Sequence, residues 1–404
     1  MTAANRVVDA TELGERVASY DVSRVRGRRI AMIDEADPVA AAVAAIATRE
    51  AGGIPLIADE RWPALYRAEL NDLVASAEPG PGIGWATSTS GSSGSPRVIL
   101  RSESSWSASF PAVTGLLGLT AADVVYLPAP LSASMSLFSA AHARAVGAGL
   151  VVSGTPVAAV GNATVMHGTP YALGAVVDAV HGGAPQRIRA ALVGGAQLDA
   201  GLRARAEALG IRVVSYYGAA ELSFAAVDID GGGLLPFPGV QLRLAHGELW
   251  VRSDYVASGY LGPTTGSLRR DSEGWATVGD LAVDRQGPLS FVGRRDGAIL
   301  TAAATVIPEE VEAALRRIPG VRDAVVFAVP NASVGSLVGV VVERTGSTRA
   351  PVGDVRQQAR ALLAPSHLPR QWFHTSRLER TASGKPARTR IRTDALEGRI
   401  ERYE

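Results

Sequence analysis

The stretch AALVGGAQLDAGLRARAEALGIRVVSYYGAAE, residues 190–221, has two short apolar runs on either side of an amphipathic segment. The runs Ala190–Val193 and Val213–Ser215 predict β-strands, and Leu198–Leu209 between them predicts an α-helix. Strands that alternate with helices favour parallel pairing within one sheet. The stretch therefore predicts an α/β fold in which a polar, Gly-containing turn, Tyr216–Glu221, directly follows a strand.

The same alternation of strands and helices extends from about residue 30 to about residue 290. It predicts further strands and helices at Ile54–Ala58, Val124–Leu127, Leu150–Val152, Pro38–Glu50 and Ser134–Val146. After Leu234 the chain becomes turn-rich, and apolar runs predict short strands at Val240–Leu244, Glu248–Arg252, Trp275–Val278 and Leu289–Val292. We predict a large N-terminal α/β domain with a β-rich portion, residues 1–294.

A charged segment, Gly293–Gly297, separates this region from a self-contained α+β pattern. That pattern consists of predicted helices and strands at Pro308–Arg317, Ala324–Val329, Val338–Glu343 and Val352–Leu363. A chain of 404 residues exceeds the size at which a single core stops growing, about 250–300 residues. We therefore predict a small C-terminal domain, residues 295–404, with a hinge at Arg295–Asp296.

Composition excludes several classes of protein. The net charge of +1 gives no electrostatic signature of a nucleic-acid or membrane partner. The absence of cysteine excludes thiolate metal sites and thiol nucleophiles, and the six histidines show no metal-binding spacing. The chain does not open on a secretory signal, and the apolar run Pro38–Thr48 is shorter than the roughly 20 residues of a membrane span. We expect a cytoplasmic protein.

The segment Ser88-Thr-Ser-Gly-Ser-Ser-Gly-Ser-Pro-Arg97 is rich in small residues that supply backbone N–H groups and hydroxyls. Such a segment can wrap a phosphate chain closely, and Arg97 adds positive charge. No Gly-Lys-Ser/Thr follows, so this is not a Walker A loop. The alternative is a flexible Ser/Gly linker, although the apolar run Val98–Leu100 continues the fold directly after it.

Three further motifs carry chemistry. In Tyr216–Glu221, Tyr217 can stack on a purine and Glu221 can hold Mg²⁺, at the strand end where open α/β sheets bind ligands. In Gly274–Asp280 the acid can bind ribose hydroxyls, and in Gly293–Asp296 Arg294 can bind ribose or phosphate. Each motif alone is also compatible with an ordinary loop.

Lys385, in Thr381-Ala-Ser-Gly-Lys-Pro-Ala-Arg388, is the only lysine among 40 basic residues. A lysine ammonium is a compact point charge on a thin stem, whereas a guanidinium is a broad planar fork. The singleton suggests a role that arginine cannot fill, the alternative being chance survival in an arginine-rich composition.

The Ser/Gly loop, Tyr-Gly-x-x-Glu, Val-Gly-Asp, Gly-Arg-x-Asp and Ser-Gly-Lys follow one another in the order typical of the adenylate-forming superfamily. The chain resembles that superfamily, which includes acyl- and aryl-CoA ligases, peptide-synthetase adenylation domains and luciferases, from about residue 84 to its end. Supporting segments are Val193–Ala196, Gly247–Arg252, Ser258–Tyr260 and Val306–Glu312. The C-terminal half most resembles compact bacterial o-succinylbenzoate-CoA ligases.

The resemblance implies that a small-molecule carboxylic acid attacks the α-phosphate of ATP, with Mg²⁺, and that a second nucleophile then displaces AMP. Lys385 would bridge the carboxylate and the α-phosphate, Glu221 would bind Mg²⁺, and Asp296 would be the hinge of a mobile C-terminal domain. The implied ATP- and AMP-binding residues are Thr89, Ser90, Gly91, Ser92, Ser93, Gly94, Arg97, Gly195, Ala196, Tyr217, Gly218, Ala220, Asp280 and Arg294. The implied substrate-pocket residues are Ser132, Ala133, Ser134 and Gly194.

Several positions depart from the superfamily's pattern. Ala220 replaces the usual threonine, Arg97 the usual lysine, and Ala302–Ala304 the usual glycines; only 87 residues precede Ser88. The alanines leave the acceptor open: CoA, the phosphopantetheine of a carrier protein, or an amine, with a non-carboxylate oxyanion such as nitrite as an alternative activated group. Ala220 and the short N-terminus leave open a non-catalytic nucleotide-binding relative.

The predicted acid pocket favours a small aryl or branched acid. Pro128–Ser136 contains no acidic residue to pair an α-amine, which disfavours an α-amino acid, and its small residues leave room for a ring or branch. His142 and His167 either approach this pocket or are structural.

Overall fold

The computed structural model describes residues 6–24, 30–60, 62, 64–89, 97–152, 160–195, 198–263, 266–284, 287–294, 299–301, 304–306, 308–331, 334–344, 352–379 and 386–403. These residues divide into two compact units. The larger contains the described residues of 1–60, 73–89 and 97–292, and the smaller those of 61–72 and 293–404. No helix in the described ranges combines the length and apolarity that crossing a bilayer requires.

The helices are Ala10–Ser19 (α1), Pro38–Glu50 (α2), Ala64–Ser76 (α3), Ser104–Ser107 (α4), Phe110–Leu117 (α5), Ser134–Val146 (α6), Pro170–His181 (α7), Ala200–Ala208 (α8), Pro308–Arg316 (α9), Val352–Leu362 (α10) and Arg388–Leu396 (α11). The start of α2 illustrates how the sequence sets a boundary. The Asp37 carboxylate accepts a hydrogen bond from the Val39 N–H at 3.0 Å, and Pro38 occupies the first turn, where it removes no helix hydrogen bond.

The strands of the larger unit are Arg6–Val8 (β1), Ala31–Ile33 (β2), Pro55–Ile57 (β3), Ile83–Thr89 (β4), Arg97–Ser102 (β5), Val124–Leu127 (β6), Gly149–Val152 (β7), Val165–Gly168 (β8), Ala190–Val193 (β9), Arg212–Ala219 (β10), Ser223–Asp228 (β11), Leu235–Pro236 (β12), Gln241–Ala245 (β13), Glu248–Arg252 (β14), Gly259–Tyr260 (β15), Arg269–Arg270 (β16), Ala276–Thr277 (β17), Asp280–Asp284 (β18) and Leu289–Arg294 (β19), the last of which continues into the smaller unit.

The main sheet of the larger unit has eight strands in the order β1-β7-β6-β8-β9-β10-β11-β12. Strands β7, β6, β8, β9 and β10 are parallel, while β1 and β11 run antiparallel to their neighbours. Side chains alternate across it: Leu127 belongs to the core beneath α2 and α6, and Tyr126 to the core beneath α7. Both faces of the parallel strands are thus covered, and each fully buried aliphatic side chain contributes about 1.5–3 kcal/mol.

Two further sheets of the larger unit position the site. Strands β15, β5 and β4 form a three-stranded antiparallel sheet. The other sheet has six strands: five follow the order β16-β17-β14-β18-β19, and the sixth, β13, pairs with β14. A parallel pair, β2 and β3, precedes them in the chain.

The smaller unit contains strands Ile299–Leu300 (β20), Thr305–Val306 (β21), Val321–Asn331 (β22), Gly335–Arg344 (β23), Gln371–Thr375 (β24) and Glu401–Arg402 (β25). Its main sheet has the order β22-β23-β24-β25, with β23 and β24 parallel. Buried Glu312 on α9 ties this unit together, because its carboxylate accepts two hydrogen bonds of 2.7 Å from Arg388 and one of 2.8 Å from the Val326 N–H.

The structure confirms the predicted mixed α/β class, with a large sheet-rich part and a smaller α+β part. The bounds of α2, α6, β6, β9 and β14 agree with the predicted ones. The C-terminal segment of the smaller unit begins at Gly293, and both the predicted domain boundary at 294/295 and the mobility of the C-terminal domain stay predictions. The main difference lies at β10, which continues through Ala219, so Tyr216–Ala219 belongs to a strand and not to a turn.

Candidate active site

The parallel pairing of β8, β9 and β10 ends at the same level of the main sheet. Gly168 of β8 pairs with Val193 of β9, and Val193 pairs with Ser215 of β10. Gly194 and Tyr216 therefore follow side by side at the edge where open α/β sheets bind ligands. A Cβ on Gly194 would lie 2.3 Å from the Tyr216 ring, so only glycine allows this approach.

The Tyr-Gly-Ala-Ala-Glu motif forms the distal half of a hairpin made by β10 and β11. The register shifts between Tyr217 and Gly218, and a Cβ on Gly218 would lie 2.0 Å from the Ser223 carbonyl oxygen. The turn itself is Ala220–Leu222, and Ser223 has a φ of 60°. The polar, glycine-containing sequence favours a turn from Tyr216 onward, whereas pairing with β11 extends the strand and leaves Glu221 at the hairpin tip.

Tyr217 and Asp280, both predicted to contact the nucleotide, are in contact with each other. The Tyr217 hydroxyl donates a hydrogen bond to the Asp280 carboxylate, and its ring stacks on Phe291 with 3.6 Å between centroids. One face of Tyr217 is therefore covered by Phe291. Stacking of the ring on a purine stays a prediction.

Asp280 is buried and begins β18 after the sharp turn at Gly279. The Gly279 N–H donates to the Thr277 hydroxyl at 3.0 Å, which in turn donates to buried Glu248 at 2.8 Å. These two hydrogen bonds tie the Val-Gly-Asp segment to the buried Glu248 of β14.

Glu221 is 9% exposed, and its two carboxylate oxygens differ. Oε1 accepts a hydrogen bond from the Tyr260 hydroxyl at 2.9 Å, whereas Oε2 has no hydrogen-bond partner among the residues that the structure describes. No group of three or more His, Asp or Glu side chains converges in the described part of the chain. Glu221 therefore offers one carboxylate oxygen to a magnesium ion that nucleotide phosphates would also bind, and its role as a magnesium ligand stays a prediction.

Arg101 of β5 is a buried cation beside this hairpin tip. Its guanidinium donates to the carbonyl of Ala220 and, at 2.6 Å, to that of Tyr255. Burial lowers the pKa of Arg101 to about 9, and the charge of Glu221 partly offsets this, so the group is charged at neutral pH. Sequence analysis gave no role to Arg101; the available signal was an arginine directly after the apolar run Val98–Leu100.

The two histidines near the predicted acid pocket are buried and neutral. His167 Nδ1 shares a hydrogen bond with the Ser139 hydroxyl, and His167 Nε2 shares one of 2.9 Å with the Tyr216 hydroxyl. Burial and, to a smaller extent, the neighbouring His142 lower the pKa of His167 to about 3. Burial likewise lowers the pKa of His142 to about 4, and His142 stacks on Phe110.

Ser132, Ala133 and Ser134, the other predicted pocket residues, lie at the start of α6, where Ala133 is the N-cap residue. The Ser132 hydroxyl donates to the carboxylate of Asp59 at 2.8 Å. Sequence analysis missed Asp59 because it lies 73 residues earlier in the chain. Gly195 also lies here, since a Cβ on it would be 3.7 Å from the Thr169 methyl and 3.8 Å from the Met135 methyl.

Thr89 and Arg97 are opposite each other in the β4–β5 ladder, so the two strands converge on the predicted phosphate loop. The loop itself, including Ser90, Gly91, Ser92, Ser93 and Gly94, lies outside the described residues, as do Ala196, Asp296, Lys385 and the alanines at 302 and 303. The side chains of Thr89 and Arg294 are likewise not described. Their assigned roles stay predictions.

Comparison with known families identifies the class. Residues 87–261 match the AMP-binding enzyme family, and residues 310–385 match the AMP-binding enzyme C-terminal domain. The two matches together span more than half of the 404 residues. The chain belongs to the AMP-binding, adenylate-forming enzymes, a class of AMP-forming, acid-activating ligases.

Among curated relatives, an uncharacterized acyl-CoA ligase of Bacillus subtilis is 26% identical over 330 residues, which cover 75% of this chain and 67% of the relative. A probable 2-succinylbenzoate-CoA ligase of Mycobacterium tuberculosis is 32% identical over 222 residues, covering 54% of this chain and 57% of the relative. The match therefore spans little more than half the length of the mycobacterial protein.

Among solved structures, an amide bond synthetase from Marinactinospora thermotolerans has a TM-score of 0.79 at 21% identity, covering 96% of this chain and 97% of that one. A variant of o-succinylbenzoate-CoA synthetase from Bacillus subtilis has a TM-score of 0.77 at 18% identity, covering 95% and 93%. These likenesses show that the fold is that of adenylate-forming enzymes.

Proposed function

We propose that the protein is an ATP-dependent ligase that adenylates a small carboxylic acid and transfers the acyl group to a thiol. A carboxylate oxygen attacks the α-phosphorus of ATP, the bond to the β-phosphate oxygen breaks, and pyrophosphate leaves. The acceptor's sulfur then attacks the acyl carbon, AMP leaves with the bonding electron pair, and the thiol proton passes to solvent.

The observation that carries this proposal is the arrangement of the β10–β11 hairpin. Tyr217 and Glu221 lie within five residues of one another at the edge of the main sheet where open α/β sheets bind ligands. The Tyr217 hydroxyl donates a hydrogen bond to Asp280, and Glu221 Oε1 accepts one from Tyr260. Asp280 offers a carboxylate for ribose hydroxyls, and Glu221 offers a hard oxygen for Mg²⁺, which would neutralise phosphate charge when bound. Lys385 would supply positive charge to the transition state, and a hinge at Asp296 would bring it in and withdraw it.

The surroundings of Gly194 support an uncharged aryl or branched acyl group. Tyr216 and His167 present a phenol and a neutral imidazole that are bonded to each other. Because the His167 imidazole is neutral, it supplies no positive charge to pair with a second carboxylate of the substrate. Asp59 beside Ser132 is an acid that Pro128–Ser136 itself lacks, so α-amino acids belong among the test substrates.

CoA or a carrier-protein phosphopantetheine is the acceptor that the named relatives support, since two of them are acyl-CoA ligases by description. A second candidate is an amine acceptor. The turn between β20 and β21 is closed by Thr301, whose N–H and hydroxyl both donate to the Ala304 carbonyl at 2.9 and 2.8 Å. The alanines at positions 302–304 of the sequence, where the family uses glycine, and a structural neighbour named as an amide bond synthetase favour this alternative.

Pyrophosphate release over a panel of aryl, branched aliphatic, dicarboxylic and α-amino acids tests the proposal. The assay is run with ATP and Mg²⁺ alone, with CoA, and with a simple primary amine, and products are identified by mass spectrometry. We expect release with aryl or branched acids and an acyl-CoA product. ATP binding without pyrophosphate release for any acid would instead identify a non-catalytic nucleotide-binding relative, and an amide product would establish the second candidate.

Glycine at positions 303 and 304 tests the acceptor directly. Removing two Cβ atoms restores the close backbone approach that the family's glycines allow to the pantetheine arm. If the alanines obstruct this arm, the double variant Ala303→Gly, Ala304→Gly forms thioester faster than the wild type while pyrophosphate release is unchanged. Rapid acyl-CoA formation by the wild type would show that these alanines do not restrict the acceptor.

A further inference from the structure

Arg101 is almost completely buried, at 1% exposure, yet no described carboxylate forms an ion pair with it. Its hydrogen bonds end on the Tyr255 carbonyl, the Ala220 carbonyl and, at 3.4 Å, the Ser105 hydroxyl, and its Nε has no partner among the described residues. A buried cation that is not paired directly is costly unless nearby negative charge compensates it. The charge that acts on Arg101 is that of Glu221.

The contacts of Arg101 converge on the backbone of the hairpin tip. It holds the carbonyl of Ala220, the residue directly before Glu221, while the Glu221 carbonyl accepts from the Ala257 N–H at 2.7 Å. Arg101 also holds Tyr255, two residues before Ala257. The guanidinium thereby joins β5 to both chain segments that meet at Glu221, through two acceptors that suit its planar fork.

Tyr260 contacts the side-chain carboxylate of Glu221. Its hydroxyl donates to Glu221 Oε1 at 2.9 Å and accepts from the Leu268 N–H at 3.2 Å, which fixes the direction of the phenol. Tyr260 lies on β15, where it pairs with Ile99 of β5. Both residues that hold Glu221 are thus anchored to the strand that leaves the predicted phosphate loop at Arg97.

We propose that Arg101 and Tyr260 are positioning residues for nucleotide-bound magnesium: Arg101 fixes the backbone of Glu221, and Tyr260 occupies Oε1 so that Oε2 faces the ion. This rests on the proposed function of Glu221 as the magnesium ligand. Hydrogen bonds that orient a ligating carboxylate typically alter metal affinity or activity by about 10- to 100-fold when they are removed. A purely structural role would instead lower stability without changing the response to Mg²⁺.

The test uses the full chain and the variants Arg101→Met, Arg101→Lys, Tyr260→Phe and Glu221→Gln. Two quantities are measured: the Mg²⁺ concentration for half-maximal pyrophosphate release, and ATP affinity by calorimetry with Mg²⁺ and with EDTA. We expect Arg101→Met to raise the half-maximal Mg²⁺ concentration and weaken ATP binding in Mg²⁺ by about 10-fold or more. ATP binding in EDTA should stay unchanged, and Arg101→Lys should recover part of the loss.

Arg203→Met supplies the matched control. Arg203 is also a buried arginine of the larger unit and donates at 2.6 Å to a backbone carbonyl, that of Val213, but at the opposite end of the hairpin. Its loss should lower the melting temperature without moving the Mg²⁺ response. Arg101→Met that behaves like Arg203→Met, with an unchanged Mg²⁺ response, overturns the positioning role.

If Arg101→Met does not fold, Tyr260→Phe and Arg101→Lys decide the matter, since wild-type Mg²⁺ responses in both would overturn the proposal. A wild-type Mg²⁺ response in Glu221→Gln would refute the magnesium ligand on which the inference rests. A wild-type protein that releases no pyrophosphate would refute the proposed activity alone, because calorimetry with ATP and Mg²⁺ still compares the variants.

Discussion

Each end of the β10–β11 hairpin is contacted by a buried arginine from another element, Arg203 of α8 at the base and Arg101 of β5 at the tip, and the charges of the two are compensated differently. At the base, Arg203 pairs directly with Asp228 at 3.0 Å and with the Val213 carbonyl. At the tip, Arg101 binds carbonyls beside Glu221 and forms no ion pair with a described carboxylate. At the base the Asp228 carboxylate is paired with an arginine, whereas at the tip Glu221 Oε2 has no described hydrogen-bond partner, and it is this oxygen that we propose as the magnesium ligand.

The largest expected effect comes from a residue on neither end of the hairpin. Lys385→Ala should lower the adenylation rate by about 10²–10³-fold, since it removes charge from the transition state, and leave ATP affinity nearly unchanged. Pyrophosphate release and calorimetry measure the two quantities. Lys385→Arg should be severely impaired too, because a planar fork replaces a point charge; near-normal activity in that variant would contradict the bridging role.

Exchanging the acid at each end for its amide tests the comparison directly. Glu221→Gln at the tip should raise the Mg²⁺ requirement and lower the adenylation rate by roughly 10- to 100-fold, because a charged oxygen ligand becomes neutral. Asp228→Asn at the base should leave the Mg²⁺ response alone and lower the free energy of unfolding by about 1–3 kcal/mol. Identical behaviour of the two variants in a Mg²⁺ titration and in chemical denaturation would remove the distinction.

Asp280→Ala extends the comparison to the partner of Tyr217. Loss of a charged acceptor for ribose hydroxyls should weaken ATP binding about 10-fold or more, while the KM of the acid changes little. Steady-state kinetics with each substrate varied in turn provides the measurement. Equal losses for ATP and the acid would point to a disturbed fold around β18.

The last prediction concerns His167, which is hydrogen-bonded to Tyr216 beside Gly194, and its effect on the free energy of unfolding appears only at acidic pH. Burial holds the pKa of His167 at about 3 in the folded chain, against an ordinary value of 6.5. Between these values the unfolded chain binds the proton and the folded chain does not, so the free energy of unfolding falls as the pH falls below 6.5. His167→Asn should lose less stability than the wild type between pH 6.5 and pH 4 in denaturant titrations; equal slopes would show that the imidazole does not contribute.

Much of the fold follows from local pattern. Periodicity and capping residues predict Pro38–Glu50, Ser134–Val146, Val124–Leu127 and Ala190–Val193 with the bounds that the structure shows, because each segment contains its own apolar pattern. The extension of β10 through Ala219 could not be predicted in this way, since pairing with β11 overrides a polar, Gly-containing sequence.

The candidate site likewise has features that local sequence predicts and features that depend on long-range pairing. Motif order predicts Tyr217, Glu221 and Asp280 as site residues, but the residues that contact the hairpin tip and Glu221 come from distant parts of the chain. Arg101 is 119 residues from Ala220, and Tyr260 is 39 residues from Glu221. Nothing local marks such contacts, because they arise only when β5 and β15 pair beside the hairpin.

Tyr216 and Tyr217 are neighbours on β10 with separate surroundings. The first lies over Gly194 and bonds to His167, and the second stacks on Phe291 and bonds to Asp280. Under the proposed function, one strand therefore carries a side chain for the acid and, next to it, a side chain for the nucleotide. Exchange of the residue at position 216 would then alter which acid is accepted and leave ATP binding as it is, so that a scaffold of this kind could diversify its substrates one residue at a time.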